Sequence, residues 1–338
     1  MLQVDQQTLP LITIGIPTSN SAWSLTQVLD SILKLEYDKR RLRLVFPDNY
    51  SSDGTEKILT EFKTKHKDEF ESIMVEQIRA NIPVARNICI EKAVGTDYVF
   101  FLDSDVVVPS DTLTVLLKDF SSFDKVGIAS FPADQENSKV RARSLFNGFY
   151  STDGPMLAFK VGTSCTMIST AAFATVGQFN PKLYVHEDGE FCYRVRRCGF
   201  KIVSDYSRKG IHLKQVSWSA HHYLRFIWNS SNTYFEMLKL GSAMHALKVL
   251  TSILLVLFFI LTVSLREIAP LIGFALTLGI AFWANGSRRV LDDGSKIRPG
   301  YYLIIPPVLT VLTMLVTGAV FVRIGQKIGS RFGRFGQN

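Results

Sequence analysis

The chain has 338 residues, 47% of them hydrophobic, and a formal net charge of +8 at pH 7. The basic residues are placed unevenly: residues 241–338 hold 10 Lys and Arg against 3 Asp and Glu, whereas the residues before them hold 28 against 27. A nucleic-acid surface would need a basic face on residues 1–240, where acidic and basic residues nearly balance. The composition therefore argues against nucleic acid as a partner. The length suits one large domain with an appendage, or two domains.

The first hundred residues alternate short apolar runs with helical patterns. We predict strands at 11–17, 42–47, 71–78 and 97–102, and helices at 54–66 and 83–94. The first two runs are continuously apolar, which is typical of buried parallel strands. This alternation predicts an α/β doubly wound sheet, whose ligands bind at the carboxyl ends of its strands.

The pattern becomes mixed after residue 110. We predict helices near 111–120 and 189–198, and strands near 126–131, 162–170 and 200–204. Residues 132–160 between them are irregular in pattern. Long loops of this kind often close over binding sites, and a helix followed by a surface loop is the alternative interpretation.

Two carboxylates, Asp103 and Asp105, follow the apolar run that ends at Leu102. Residues two apart in an extended segment point to the same side. Because two close carboxylates repel each other, a divalent cation lying between them and an anion such as a diphosphate would favour the pair. Taken alone, the pair also fits a solvated turn, so the other motifs decide between the two interpretations.

Five sequence blocks follow one another along the chain: TIGIPTSN (13–20), FPDNYSSDGT (46–55), NIPVARN (81–87), FFLDSDVVV (100–108) and VGQFNPKLYVHEDGEFCYRVRRCGF (176–200). In this order they resemble the inverting family 2 glycosyltransferases, which have a GT-A fold. The resemblance covers roughly residues 11–215. It implies a GT-A-type doubly wound domain that binds a nucleotide-sugar.

The resemblance implies a donor side built from the earlier blocks. It places Pro17 and Thr18 against the nucleotide, with Asn49 in a neighbouring turn. Asp48 would accept from the ring N–H of a pyrimidine, which favours a UDP-sugar. Arg86 resembles a nucleotide-side or diphosphate-side residue, and a surface salt bridge is the alternative.

Two features near the donor side also have ordinary structural explanations. Pro17 can end the strand while Ser19 or Asn20 caps the following helix, which is compatible with nucleotide contact. Asp53 before Gly54 favours an Asx turn over a ligand role.

The resemblance also implies a divalent cation, Mn²⁺ or Mg²⁺. Asp105 would coordinate it, and Asp103 would approach the ribose or the metal. The ion would neutralise the leaving diphosphate as a Lewis acid. His212 lies where some family members place a metal or diphosphate ligand, although a single His is more often structural.

A second acidic pair, Glu187 and Asp188, resembles the block that faces the acceptor in this family. The resemblance implies that Asp188 is the general base for an acceptor hydroxyl, with Glu187 beside it near the donor. A compatible alternative is that Asp188 caps the helix at 189–198. Enzymes that glycosylate polyprenyl phosphate usually lack such a pair, since their acceptor is already ionised. The Gln-x-x-Arg-Trp block of processive synthases is absent from the sequence.

The last third of the chain has three uncharged apolar stretches, between Lys248 and Arg266, between Glu267 and Arg288, and between Arg298 and Arg323. Each is near the roughly 20 residues that a membrane crossing needs. We therefore predict a membrane region over 242–338, with a basic tail whose side of the membrane stays open.

A predicted amphipathic helix at 218–241 precedes the membrane region. Its stripe comprises Leu224, Trp228, Ser231, Phe235 and Leu238. Such a helix can lie in the membrane interface, and packing on the catalytic domain is the alternative. The catalytic domain, 1–217, is expected on the cytoplasmic face, because the opening residues lack a signal-peptide pattern.

Together these patterns predict an integral membrane glycosyltransferase with an inverting mechanism. It would move one sugar to a hydroxyl of a lipid or lipid-linked saccharide. One alternative is a polyprenyl (dolichyl) phosphate glycosyltransferase, and another is a non-catalytic scaffold that binds nucleotide-sugar. The four cysteines show no metal-ligand spacing, so we assign them no role.

Overall fold

The computed structural model of the protein describes residues 9–134, 154–213, 220–265 and 277. The chain divides into two compact units. The first comprises residues 1–139 and 151–216, and the second comprises 140–150 and 217–338.

The first unit contains the predicted strands and helices in the predicted order, together with further short strands and helices. Its strands are β1 (Ile12–Gly15), β2 (Leu42–Asp48), β3 (Ser72–Gln77), β4 (Tyr98–Leu102), β5 (Val106–Val107), β6 (Val126–Ser130), β7 (Ala133–Asp134), β8 (Pro155–Leu157), β9 (Cys165–Ser169), β10 (Lys201–Asp205) and β11 (Gly210–His212). Its helices are α1 (Ala22–Leu33), α2 (Thr55–His66), α3 (Ile82–Glu91), α4 (Thr112–Phe120), α5 (Thr170–Val176) and α6 (Glu187–Arg197). These bounds confirm the predicted strands and helices to within a few residues.

Eight strands form the main sheet, in the order β3-β2-β1-β4-β9-β6-β10-β8. Strands β3, β2, β1 and β4 are parallel, as the doubly wound pattern predicts. Beyond them the sheet is mixed, because β9 runs antiparallel to β4 and β6, and β8 runs antiparallel to β10. Burial on both faces produces the same apolar run in either strand direction, so the sequence pattern could not distinguish them.

Both faces of the sheet are covered. Along β4 the side chains alternate: Phe100 and Leu102 join the core cluster shared with α1, α2 and α4, and Val99 and Phe101 join the opposite cluster. In that second cluster the ring of Phe101 meets a group of aromatic side chains from α5, α6 and the segment between them. The start of α6 is therefore anchored on the sheet by aromatic packing.

A small second sheet has the strand order β5-β11-β7. Strand β11 runs antiparallel to β5, with His212 opposite Val106. The close approach requires glycine at position 210, because an added Cβ would lie 2.7 Å from Cγ1 of Val106. This sheet brings residues 210–213 beside the segment that follows β4.

The second unit contains α7 (Ala220–Lys239) and α8 (Ala243–Leu265), separated by a turn at Gly241, whose φ is +71°. Of the predicted stripe on α7, Ser231 is fully buried and Trp228 is 36% exposed. Its placement at a membrane interface stays a prediction.

The first of the three uncharged stretches lies within α8. The other two fall outside the described residues, apart from Thr277. Within the described part of the chain, no helix meets the length and apolarity needed to cross a membrane.

One acid in α4 is buried away from the predicted site. Asp119 is 2% exposed, and its Oδ2 atom has no hydrogen-bond partner among the residues that the structure describes. Burial raises the pKa of this carboxyl to about 7, with a smaller contribution from Asp205 and an opposing one from Lys118. The folded state therefore holds a proton that the unfolded chain releases near pH 4.

We expect Asp119 to make the free energy of unfolding fall as pH rises from about 4 to about 7. In Asp119→Asn the free energy of unfolding should fall less over that pH range, because the variant has no acid to ionise. The difference in free energy of unfolding, variant minus wild type, should therefore increase by a few kcal/mol at most. Thermal unfolding at pH 5 and pH 8 measures it. Asp124→Asn, at an exposed acid nearby, is the control. An Asp119→Asn profile parallel to that of the wild type would contradict the prediction.

Candidate active site

Asp48 ends β2 and is fully buried. Its Oδ1 accepts hydrogen bonds from the hydroxyls of Thr18 (3.0 Å) and Ser51 (2.5 Å). Its Oδ2 accepts from the Ser51 backbone N–H (3.0 Å) and from Nε2 of Gln77 (2.8 Å). A carboxylate has about four acceptor sites, so protein donors already occupy this one.

The predicted nucleotide residues after β1 lie directly beside Asp48. Thr18 forms a β-bridge with Asp48, its N–H donates to the Pro47 carbonyl (2.9 Å), and its carbonyl accepts from the Asn49 N–H (2.9 Å). Pro17 and Thr18 are buried, whereas Asn49 is exposed. The fold thus brings these four predicted donor-side residues into one corner, at the carboxyl ends of β1 and β2.

Asp53 has the structural role that its sequence context favours. Its Oδ1 accepts from the Thr55 N–H (3.1 Å) and hydroxyl (2.6 Å), which confirms the Asx turn, and these bonds lower the pKa of the carboxyl. Its Oδ2 accepts from the Ala22 N–H (2.9 Å), which joins this turn to the first turn of α1. The N-cap of α1 is Ser21, so the prediction of a cap at 19–20 is wrong.

Hydrogen bonds to Ser104, the middle residue, hold the Asp-Ser-Asp turn (103–105) that follows β4. The hydroxyl of Ser104 is 2.7 Å from that of Ser21, and its carbonyl accepts from the Ser24 hydroxyl (2.8 Å). The N–H of Asp103 donates to the Ser164 carbonyl (3.0 Å). Asp103 and Asp105 are therefore held on either side of a fixed residue. Sequence reasoning gave Ser104 no role, although it lies inside a recognised block.

His212 lies beside Asp105 although the two are far apart in the sequence. Nδ1 of His212 is 3.6 Å from Oδ1 of Asp105, and both side chains are partly exposed. The pairing of β11 with β5 produces this proximity, together with a bond from the Leu213 N–H to the Asp105 carbonyl (2.9 Å). Over the described ranges, no set of three or more His, Cys, Asp or Glu residues is arranged to hold a metal ion.

Arg86, on α3, joins the two acidic blocks. Nη1 donates to Oε1 of Glu187 (2.6 Å), and Nη2 lies 3.5 Å from Oδ1 of Asp103. The guanidinium also lies 5.8 Å from the ring of Phe179. Arg86 is only 5% exposed, so the alternative of a surface salt bridge is wrong. Its position makes it a bridge between the predicted donor-side acid Asp103 and the predicted acceptor-side acid Glu187.

The predicted acceptor-side acids lie in the first turn of helix α6. The helix begins at Glu187, two residues before the predicted start, and its first turn contains Glu187, Asp188 and Glu190. Acids suit this end, because the helix dipole is positive there. Within the described part of the chain, the Asp188 carboxylate accepts one hydrogen bond, from the adjacent Gly189 N–H (2.6 Å). It therefore accepts fewer internal hydrogen bonds than the carboxylate of Asp48.

The segment before α6 is tied to α3 by side-chain amides. Asn87 donates to the Phe179 carbonyl and accepts from its N–H, both at 2.9 Å. Asn81 donates to the Pro181 carbonyl (2.8 Å). Both asparagines belong to the NIPVARN block, but sequence reasoning assigned neither a role. They position the start of α6.

His186 immediately precedes the acidic pair. Its backbone is left-handed, with φ 59°. Burial lowers the pKa of its imidazole to about 4, assisted by Lys160 and opposed by Glu187. The side chain is therefore neutral near pH 7.

Residues 13–175 match the family model described as Glycosyl transferase family 2. Poly-beta-1,6-N-acetyl-D-glucosamine synthase of Staphylococcus epidermidis is 28% identical over 152 residues, which are 45% of this chain and 34% of that protein. Glycosyltransferase AglE of Haloferax volcanii is 34% identical over 98 residues, 29% of this chain and 31% of that protein. The chain spans about a third of the length of these curated relatives.

Two solved structures are similar over most of the chain. Mannosyltransferase PcManGT from Pyrobaculum calidifontis, in complex with GDP-Man and Mn²⁺, has a TM-score of 0.60 at 17% identity and covers 96% of this chain and 89% of that one. S. aureus TarS 1-349 in complex with UDP-GlcNAc has a TM-score of 0.51 at 14% identity, with 91% and 89% covered. The likeness shows an α/β GT-A-like fold with a large mixed sheet. With the family match, it supports a family 2 glycosyltransferase.

The bridging role of Arg86 predicts a large loss of stability when its guanidinium group is removed. Arg86→Met leaves Asp103 and Glu187 without their buried counter-charge and should lower the free energy of unfolding by about 3–5 kcal/mol. Denaturant unfolding measures the loss. Arg40→Met, at an exposed arginine, should have little effect.

Adding Glu187→Gln to the Arg86→Met variant should restore part of the loss, because one uncompensated acid is then removed. Equal stability of Arg86→Met and Arg40→Met would contradict the bridging role.

Proposed function

We propose that the chain is a membrane-anchored inverting glycosyltransferase. It transfers one sugar from a nucleotide-sugar, with a UDP-sugar favoured, to a hydroxyl of a lipid or lipid-linked saccharide. One observation carries this proposal: Arg86 joins Asp103, at the end of β4, to Glu187, next to Asp188. The predicted leaving-group side and the predicted base therefore belong to one site.

The donor binds at the carboxyl ends of β1, β2 and β4. The corner formed by Thr18 and Asp48 holds the nucleotide, and the turn at Asp103 lies next to it, since β1 pairs with both β2 and β4. The similar structures were solved with GDP-Man and with UDP-GlcNAc, which supports a nucleotide-sugar donor.

Asp105 and His212 supply two side chains to a divalent cation whose remaining ligands would come from a bound diphosphate, since Mg²⁺ is commonly held by one or two carboxylates together with substrate phosphates. Asp103 and Asp105 supply the carboxylate oxygens that Mg²⁺ and Mn²⁺ prefer, and the imidazole of His212 lies beside Asp105. When bound, such an ion supplies Lewis-acid neutralisation of the diphosphate that leaves. The Mn²⁺ in the PcManGT structure supports this part of the proposal.

Asp188 acts as the base. An acceptor hydroxyl has a high pKa, so it needs to lose its proton as it attacks the anomeric carbon opposite the leaving group. Asp188 can accept that proton because its carboxylate is bound only by the Gly189 N–H among the described residues. Arg86 and the amides of α3 keep the start of α6 in place, which orients the base.

The membrane part of the proposal is supported by the sequence. Charged residues, all but Glu267 of them basic, flank the three uncharged stretches. The basic loop between Arg288 and Arg298 would lie on the cytoplasmic side if the catalytic unit does. Anchoring would keep the site close to an acceptor that stays in the bilayer. It would thereby raise the effective concentration of the acceptor at the active site.

A donor screen tests the proposed reaction. The purified full chain is incubated with membranes and a panel of radiolabelled nucleotide-sugars, with and without EDTA. We expect one donor class to label a lipid-extractable product, and EDTA to abolish the labelling until Mn²⁺ is restored. Nucleotide binding without sugar release would instead indicate a non-catalytic scaffold. Labelling that EDTA does not change would exclude the cation from the proposal.

The base assignment makes a separate prediction. Asp188→Asn should lower turnover about 10²–10⁴-fold, since general-base catalysis contributes that much, while donor binding stays within a few-fold of the wild type. Turnover and donor affinity are measured on the same preparation. Asp68→Asn, at an exposed acid on the segment after α2, is the control. Full activity in Asp188→Asn would reject the base and favour an acceptor that is already ionised, such as a polyprenyl phosphate.

A further inference from the structure

The segment between β8 and β9 packs along helix α6. The guanidinium carbon of Arg196 lies 3.3 Å from the ring centre of Phe159, and the thiol of Cys192 donates to the carbonyl of Val161 (3.8 Å). Val161 is also buried in the second core cluster. The segment is therefore anchored on the last turns of α6 and continues towards the start of that helix.

Lys160, in this segment, lies beside the first turn of α6. A Cβ added at Gly162 would lie 3.8 Å from Oδ2 of Asp188, and a Cβ added at Gly189 would lie 3.9 Å from Cδ of Lys160. The aliphatic stem of Lys160 thus passes next to the residue that follows the proposed base. Sequence reasoning gave Lys160 no role.

Among the described residues, no acid pairs with Lys160. Its side chain is exposed and forms no ion pair or hydrogen bond within that part of the chain. Two acids in the first turn of α6 already have cations, since Glu187 pairs with Arg86 (2.6 Å) and Glu190 pairs with Arg194 (2.7 Å). An ammonium group in this position can bind an anion that arrives with the substrate.

The charge of Lys160 acts on both sides of the acidic pair. Burial is the main cause of the lowered pKa of the His186 imidazole, and Lys160 is the second. His186 directly precedes the pair, and Gly189, which the stem of Lys160 approaches, directly follows it. The ammonium group therefore lies where an acceptor has to approach the proposed base.

We propose that Lys160 binds an anionic group of the acceptor, a phosphate or a carboxylate, and so selects acceptors that carry one close to the reacting hydroxyl. This inference deepens the proposed function and rests on it. The hydroxyl lies against Asp188 and the anion against Lys160, so the opposite charges of the two side chains orient the acceptor. The flexible stem of lysine allows the ammonium to follow the anion.

Acceptor kinetics on the full chain test this specificity. Each monosaccharide of a panel is supplied on an octyl chain in three forms: joined through a phosphate group, joined through a neutral glycosidic bond, or joined neutrally with the sugar oxidised to its uronic acid. The wild type should have a lower KM for one of the two anionic forms than for the neutral form, and the form preferred identifies the source of the anion.

In Lys160→Met the KM for the preferred anionic form should rise about tenfold, the value of one hydrogen bond to a charged group. The kcat and the KM for the neutral form should stay unchanged, because methionine keeps most of the stem. Lys160→Arg keeps the charge and should keep the preference. Lys63→Met, at an exposed lysine on α2, is the control.

Each other outcome overturns the inference in a distinguishable way. If Lys160→Met keeps the preference, another group binds the anion. If it lowers kcat for all forms and moves the pH profile of kcat, Lys160 acts on the proposed base. If it raises the KM for the donor instead, Lys160 belongs to the donor side.

Two results with the wild type separate this inference from the proposed function. If the wild type uses the neutral and anionic forms equally well, the acceptor charge is not read, yet the proposed function stands. If the wild type transfers sugar neither to these acceptors nor to the membranes of the donor screen, the proposed function fails as well.

Discussion

A buried positive charge determines how this site is assembled. Arg86 is almost wholly excluded from solvent, and a buried guanidinium is tolerated only where acids lie beside it. Its two partners, Asp103 and Glu187, come from a strand end and a helix start that lie 84 residues apart in the chain. These ion pairs link α3, the end of β4 and the start of α6. The proposed leaving-group side and the proposed base are coupled through one side chain.

The aspartates of the site show how partners, and not residue type, decide a role. Asp48 has its acceptor sites filled by Thr18, Ser51 and Gln77, which makes it rigid. Asp53 closes a turn and holds the start of α1. Asp188 accepts one hydrogen bond among the described residues and lies in the first turn of α6, where the resemblance predicts a base. The same carboxyl group thus serves as a structural anchor, a turn former or a candidate base.

The strand ends that carry these residues were predictable, because a chain of alternating apolar runs and helical patterns places its loops at the carboxyl edge of a sheet. The direction of β9 was not, since an apolar run has the same pattern in a parallel or an antiparallel strand. Ser104 and Asn87 lie inside recognised blocks, yet their roles depend on partners from other segments: Ser21 and Ser24 for Ser104, and Phe179 for Asn87. No local pattern reports such partners.

By itself, the sequence determined the order of strands and helices, the resemblance that supports a family 2 glycosyltransferase, and the set of acids at the strand ends. These depend on periodicity and on short blocks, which are local properties of the chain. Only the tertiary structure decided that Arg86 is a buried bridge, that His212 lies beside Asp105, and that the Asp48 carboxylate is already occupied. Those facts depend on contacts between distant segments and on burial, and both are set by how the sheet and helices pack.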